Sequence, residues 1–488
     1  MKKNRLILLT LALAATGGCA VGPNYQRPAA STPAQWSEPL TGSETNAPVA
    51  VAAWWETFHD AELNTLIGRA VASNLDLQIA QARVREARAQ YGIAAADLWP
   101  TVDGSGSYSR ERQSQHQPVL GSLPIPPNVP YQDNNYQAGF DASWEIDVFG
   151  GRRRATEAAR AGVAAAEFGR RATLVTLLGE VARNYIELRG DQQRLAIAQE
   201  NMAAQAQALA ITQDRFAKGL TSDLDVEQAS TLLATTTAEV PTLETSLRAA
   251  IYRLGVLLGR PPRALLAELS TPAPLPTTPP EVPVGLPADL LLRRPDVQRA
   301  ERELAAATAN IGVAKADLFP KFFLTGAAGF QSVSADDWFA GGSSFWSAGP
   351  TVQWRIFDAG RIRANIRVQN ARQEAALATY EQTVLTAFED VENGLVGYAN
   401  EQTRRHSLAV AVTSSRKSLE LADKLYANGL TDFLHVLEAE RSLYQAQDAL
   451  ALSDRTVSAQ LIALYKALGG GWETAEQPGS PALAQTTK

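Results

Sequence analysis

Tyr136-Gln137-Ala138-Gly139-Phe140-Asp141-Ala142-Ser143-Trp144-Glu145-Ile146-Asp147-Val148 alternates residue by residue. Successive side chains of an extended chain take opposite faces, so Tyr136, Ala138, Phe140, Ala142, Trp144, Ile146 and Val148 share one face and Gln137, Gly139, Asp141, Ser143, Glu145 and Asp147 the other. From Trp346 to Ile356 the pattern returns, with Trp346, Ala348, Val352, Trp354 and Ile356 against Ser347, Thr351, Gln353 and Arg355. Weaker runs precede each, and four strands are expected, over 101–112, 133–148, 320–331 and 345–357. At about 3.3 Å per residue and a tilt near 45°, such strands span roughly 30 Å of hydrocarbon.

An apolar face with aromatic ends opposite a polar face suits lipid outside and water inside. The inner face of a soluble sandwich would look the same. Four strands cannot close a barrel, for which about eight is the practical minimum, and lipid does not tolerate open edges. Several chains must therefore pool their strands. Three copies give twelve, the simplest cyclic closure with an even number.

The rest of the chain is written twice. Ala96-Asp97-Leu98-Trp99-Pro100 recurs as Ala316-Asp317-Leu318-Phe319-Pro320, and Phe216-Ala217-Lys218-Gly219-Leu220-Thr221 recurs as Tyr426-Ala427-Asn428-Gly429-Leu430-Thr431. Each copy reads as a short helix (Asn74 to Asp97; Pro295 to Asp317), two strands, a long helix (152–218; 361–428), a tight turn and a medium helix (222–258; 432–468). The long helices would reach about 100 Å, far beyond a globular helix. The copies span 61–260 and 288–470, joined by a proline-dense link over 261–287 that is expected to be extended.

Apolar residues recur in sevens along the long helices: Leu174, Val181, Leu188, Leu195, Met202, Leu209 and Phe216, then Val384, Val391, Tyr398, Arg405, Val412, Leu419 and Tyr426, with Arg405 the interruption. The medium helices match, with Val226, Leu233, Val240, Leu247 and Leu254 answering to Val436, Leu443, Leu450, Val457 and Leu464. Sustained sevens predict coiled-coil packing. Pro241 is expected to bend its helix or break its hydrogen-bond ladder. The fold class is thus an α/β membrane protein: a duplicated helix-strand-strand-helix-helix unit, with a trimeric twelve-strand barrel continued by a long helical barrel.

Lys2, Lys3 and Arg5, an apolar run from Leu6 to Ala15 and Gly17-Gly18-Cys19 have the layout of a secretory signal over 1–18. Cys19 is the only cysteine, so no disulfide forms within the chain, and its place suits diacylglycerol attachment after cleavage. An ordinary signal with an incidental cysteine is the alternative, since Thr16 stands where lipoprotein signals usually carry Leu. An extended segment over 19–60 and a flexible tail over 471–488 complete the chain. No other stretch approaches the ~20 apolar residues of a membrane helix. A net charge of -6 with 20% charged residues gives no basic patch for nucleic acid. By connectivity all helices leave one side of the sheet and the loops Gln113 to Tyr131 and Ser332 to Ser344 the other. In an exported, lipid-anchored chain the helices are then periplasmic.

These features resemble the TolC family of outer-membrane factors, in particular the lipoprotein branch typified by OprM and NodT. The marks are Cys19-Ala20-Val21-Gly22-Pro23-Asn24-Tyr25-Gln26-Arg27-Pro28, the paired Asp-Leu-aromatic-Pro motifs and the Gly-Leu-Thr turns. The resemblance implies a homotrimer in outer-membrane lipid and an equatorial belt built from chain ends and linker. Ala20, where enteric lipoproteins retained in the inner membrane carry Asp, favours sorting outward. It implies an exit duct of a tripartite efflux pump that works with a periplasmic adaptor and a proton-driven inner-membrane transporter. It assigns Gly219, Leu220, Thr221, Gly429, Leu430 and Thr431 to adaptor contact, although tight helical hairpins alone explain those residues. Gly219 and Gly429 are expected to end one helix, and Ser222 or Thr431-Asp432 to cap the next.

By the same resemblance Leu434, Glu438 and Arg441 match the leucine, acidic residue and arginine of the closed periplasmic gate. Leu434 and Glu438, four apart, share a helix face; their first-copy counterparts are Leu224 and Gln228. Three Glu438 around an axis repel and favour cations. The chain departs from the branch in carrying Glu where Asp is expected, one methylene longer. A solvated helix-face charge is the alternative.

Two other functions fit parts of the pattern: the outer-membrane duct of a type I protein secretion system, and a non-conducting lipoprotein tether, which would need no polar strand face. The four histidines, His59, His116, His406 and His435, are scattered, and neither a phosphate loop nor a metal-ligand spacing is present, so neither an enzyme nor a cofactor beyond the lipid on Cys19 is expected.

Overall fold

A computed structural model of the chain describes residues 20–29, 33, 36, 44–45, 52–112, 132–278, 282–284 and 287–473. Cys19, the segment 1–18, the loop 113–131 and the tail past 473 lie outside the described residues. In chain order the elements are β1 (Glu44–Thr45), α1 (Ala61–Ser73), α2 (Leu75–Ala96), β2 (Thr101–Arg112), β3 (Gln132–Ile146), α3 (Gly151–Ala217), α4 (Asp223–Leu257) and α5 (Leu266–Leu269). They continue with β4 (Val282–Pro283), α6 (Pro287–Arg293), α7 (Pro295–Ala316), β5 (Lys321–Ser332), β6 (Ser344–Gln353), α8 (Arg361–Ala427) and α9 (Phe433–Ala467). The duplication is metrical: α2 and α7 have 22 residues each, α3 and α8 have 67, and α4 and α9 have 35. Among the described residues no helix is long and apolar enough to cross a membrane.

The chain divides into two compact units. The first holds the described residues of Met1–Pro28, Arg85–Ala165 and Glu301–Thr379. Its sheet runs β2-β3-β5-β6, every pair antiparallel. The register sets Gly104 opposite Phe140, Phe140 opposite Ala328, and Ala328 opposite Trp346, so one face carries Val102, Phe140, Leu324, Trp346 and Val352. All five are exposed. The other face carries Asp103, Ser105, Gln137, Asp141, Thr325 and Ser347. β2 and β6 end the sheet, each with an open edge.

Two strands stop before the alternation does. β3 ends at Ile146 rather than 148, because the Val148 N–H turns back to the Ile146 carbonyl (2.8 Å) and the Asp147 carboxylate accepts the Arg153 N–H (2.8 Å), starting α3. β6 ends at Gln353 rather than 357, because its partner begins at Lys321, opposite Gln353, directly after Pro320. Trp354 lies beyond the strand and donates to the Leu318 carbonyl (3.2 Å), as Trp144 does to Leu98 (2.9 Å) in the first copy. The segment after Cys19 is held here too: Val21 N–H donates to Phe149 O (3.0 Å), Arg154 to Asn24 Oδ1 (2.7 Å), and Tyr25 Oη to Glu301 (3.1 Å).

The second unit holds the described residues of Ala29–Val84, Ala166–Ala300 and Tyr380–Lys488. Its main core packs Trp54, Phe58, Leu66, Tyr185, Ile251 and Leu461, with Trp54 stacked on Tyr465 at 5.4 Å. The short helix is preceded by α1, and Asn74 separates the two by capping α2, accepting from Leu77 N (2.9 Å) while donating to Leu257 O (2.8 Å). The linker is not extended throughout: Pro262–Leu265 and α5 are helical turns that bury Leu265 and Leu269, with proline at the helix start, where its missing N–H costs nothing. Gln192 and Arg189 of α3 hold the link through the carbonyls of Leu269 (2.8 Å) and Thr271 (3.1 Å), and β4 pairs with β1. Pro241 does not end α4, which continues to Leu257; the ladder loses only the bond to the Thr237 carbonyl, and both residues occupy exposed positions.

Candidate functional site

The two tip turns lie in the second unit. Past Ala217 the Gly219 N–H donates to Phe216 O (2.8 Å) and Leu220 N–H to Arg215 O (2.9 Å); past Ala427 the Gly429 N–H donates to Tyr426 O (3.0 Å) and Leu430 N–H to Leu425 O (2.9 Å). Both glycines have φ +69 with open space where a Cβ would stand, so conformation and not room demands glycine. Leu220 and Leu430 are exposed at the apices.

The next helices start differently. Ser222 and Asp225 form a reciprocal capping box, and Thr221 Oγ1 donates to Asp225 at 2.5 Å, a bond that holds the Asp225 carboxyl below its usual range. Asp432 occupies the equivalent position, yet its side chain makes no cap bond, contrary to expectation.

Leu224 and Gln228 of α4 and Leu434, Leu437, Glu438 and Arg441 of α9 line one groove of about 510 Å³. The three gate candidates and their first-copy counterparts therefore meet. Leu434 and Glu438 are about half exposed in the single chain, and His435, isolated from the other histidines in sequence, has its Nδ1 3.9 Å from Glu438 Oε2. Among the described residues no group of His, Cys, Asp and Glu could hold a metal ion.

Packing around the groove is thin. The tip cluster buries only Ala229, Phe433, Val436 and Leu437. The expected seam of sevens is buried at Leu174, Val181 and Leu188, while Phe216 is exposed. A companion seam three residues on, Leu177, Asn184, Asp191, Ala198, Gln205 and Thr212, is buried throughout and becomes polar toward the tip. Arg405, the apparent interruption of sevens, pairs with Asp454 (2.6 Å).

Each buried apolar side chain contributes roughly 1.5–3 kcal/mol. Each buried polar group without a partner costs about 1–3 kcal/mol. Gln205 Nε2 and Oε1, Arg215 Nε, Tyr426 Oη and Glu440 Oε2 have no hydrogen-bond partner among the described residues, so gain and cost at the tip are of one order. Burial, then the charge of Asp423, pushes the Glu440 carboxyl up to about 7. Its folded pKa exceeds its unfolded one, so the folded tip holds an extra proton between about pH 4.5 and 7 and loses stability as pH rises through that window. Tip amides, corrected for intrinsic exchange, should exchange faster at about pH 8 than at about pH 5. Glu440→Gln should remove the difference; a difference that survives it would assign the effect to another group.

A family model described as "Outer membrane efflux protein" matches residues 66–260 and 286–470. The chain belongs to the outer membrane efflux protein family. It is 35% identical over 489 residues to the toluene efflux pump outer membrane protein TtgC of Pseudomonas putida, covering 99% of each chain. It is 32% identical to nodulation protein T of Rhizobium leguminosarum bv. trifolii, covering 95% of this chain and 96% of that one. Among solved structures the outer-membrane channel OprN superposes with a TM-score of 0.86 at 36% identity, over 93% of this chain and 100% of that one. The family match covers both copies of the repeat, including both tip turns and the groove between α4 and α9.

Proposed function

We propose that this chain is the exit duct of a tripartite efflux pump: a passive outer-membrane channel, gated at its helical tip and opened by a periplasmic adaptor and an inner-membrane transporter. Family membership supports the transport role, and the observation that carries the duct is the sheet β2-β3-β5-β6, bare and apolar on one face, polar on the other, open at both edges. Such a sheet is stable in lipid only when its edges meet other strands, and three copies supply twelve.

In this reading Cys19 carries the lipid, and the docked run from Val21 to Arg27 holds the anchored end against α3 and α7. The adaptor meets the tip turns Gly219-Leu220-Thr221 and Gly429-Leu430-Thr431. Because the Thr221 hydroxyl is engaged by Asp225, Leu220 is the contact of greatest reach in the first turn. Leu434, Glu438 and Arg441 form the gate. The work comes from the transporter, and the duct itself performs no catalysis.

The test is the mass and conductance of the purified chain. Light scattering in detergent should give three chains per particle, and planar bilayers should show channel events. A monomer without conductance would overturn the reading.

A further inference from the structure

The polar ladder between α3 and α9 is complete only part of the way to the tip. Asp191 bonds Arg455 (2.6 Å), Arg194 bonds Asp448 (2.7 Å), and Asn201 bonds Gln447 (3.1 Å). Tipward of these, among the described residues, no hydrogen bond joins α3 to α9, although Tyr444 of α9 still donates to Glu239 of α4: Gln205 is 2% exposed with both amide atoms unpaired, and Glu440 Oε2 is unpaired on α9. Gln205 sits twelve residues before the end of α3 at Ala217, and Glu440 seven after the start of α9 at Phe433, so both lie within about 18 Å of the tip.

We propose that these unpaired groups, Gln205 foremost, are a built-in release: they leave the tip packing ready to part below Asn201 and Gln447, while the bonded ladder and the core above stay closed. Water reaches the amide and the carboxylate when the helices separate, so parting relieves a penalty that closure imposes. A partner then needs to add little to open the mouth. An apolar residue at 205, the residue type that sevens usually place in such a seam, would lock it. The purpose of the device rests on the duct reading; its measurement does not.

Hydrogen exchange of the purified full-length assembly tests it. Gln205→Leu should slow exchange of amides in 205–217 and 433–441 by about tenfold, the effect of removing one buried unpaired polar group. Amides around Tyr185 should be unchanged. Glu440→Gln should slow the same peptides less. Efflux in cells should fall with Gln205→Leu. Unchanged or faster tip exchange overturns the proposal, because it means that the amide is satisfied in solution. Should Gln205→Leu not assemble, Gln205→Met, closer in shape, gives the same readout, and failure of both overturns it by showing that the amide is needed. Slower exchange with undiminished efflux overturns the link to opening, whereas slow exchange in a particle that never conducts, even with its gate residues removed, rejects the duct reading instead.

Discussion

Purified channels carrying Leu434→Ala and Glu438→Ala together should conduct in planar bilayers at least a hundredfold more often than the unmodified protein. Leu434 is partly exposed in the single chain, lining the groove with Leu224 and Leu437, and in a threefold ring it would supply one apolar side chain per copy to the plug. Truncating a packed leucine removes about 2 kcal/mol or more, and in such a ring the loss would be taken three times around the axis. A shift of several kcal/mol moves a closed-to-open ratio by more than two orders of magnitude. Glu438 contributes charge rather than bulk, so Glu438→Ala alone should lower cation preference, read as a reversal potential closer to zero in a salt gradient. A double variant that never conducts would remove both the gate and the duct from consideration.

Gly329→Val should disrupt the sheet, lowering the assembled channel in the outer membrane by more than tenfold. Gly139 and Gly329 face each other directly in the β3–β5 pair, the one pairing that joins the two copies of the repeat in this sheet. A Cβ on Gly329 would stand 2.3 Å from the Ala138 carbonyl oxygen and 2.6 Å from Gly139 Cα. The obstacles are backbone, so no rotamer change relieves them, and separating the strands forfeits ladder bonds of about 1 kcal/mol each and opens two more edges to lipid. Gly326→Val, on β5 inside the same sheet, is the control, for the nearest atom to its Cβ position is the Ser347 carbonyl oxygen at 3.5 Å, an ordinary contact. Normal assembly of Gly329→Val, measured by heat-sensitive migration of the membrane fraction, would show that the pair tolerates splaying.

The sequence makes the long helices and the sheet readable because each has a period that survives tertiary context: sevens along α3 and α8, twos along β3. Element ends were less readable, since they depend on which partner is present. β6 stops where Pro320 ends its neighbour, although Trp354 and Ile356 continue the alternation. Helix α1 carries no repeat of its own in the second copy, where α6 has only 7 residues, so comparison of the copies hides it. At the site, Leu434 and Glu438 could be placed on one helix face by spacing, with Arg441 added by the family resemblance, but the companion seam through Gln205 could not be read as buried, because glutamine on a helix usually signals solvent. Its clue was positional: Asn184, Asp191 and Gln205 fall seven or fourteen apart, in step with Leu177.

The matched helix lengths also govern how such a gene can change. With 67 residues in both α3 and α8 and 35 in both α4 and α9, loss of one seven-residue period from α3 alone would set its turn back by about 10 Å relative to the turn after α8. The deletion would have to be matched in α4, and then in α8 and α9, before the two turns stood level again. A change of one period confined to a single helix should therefore leave the turns out of level, and only coordinated changes spread over both halves of the chain should keep them together.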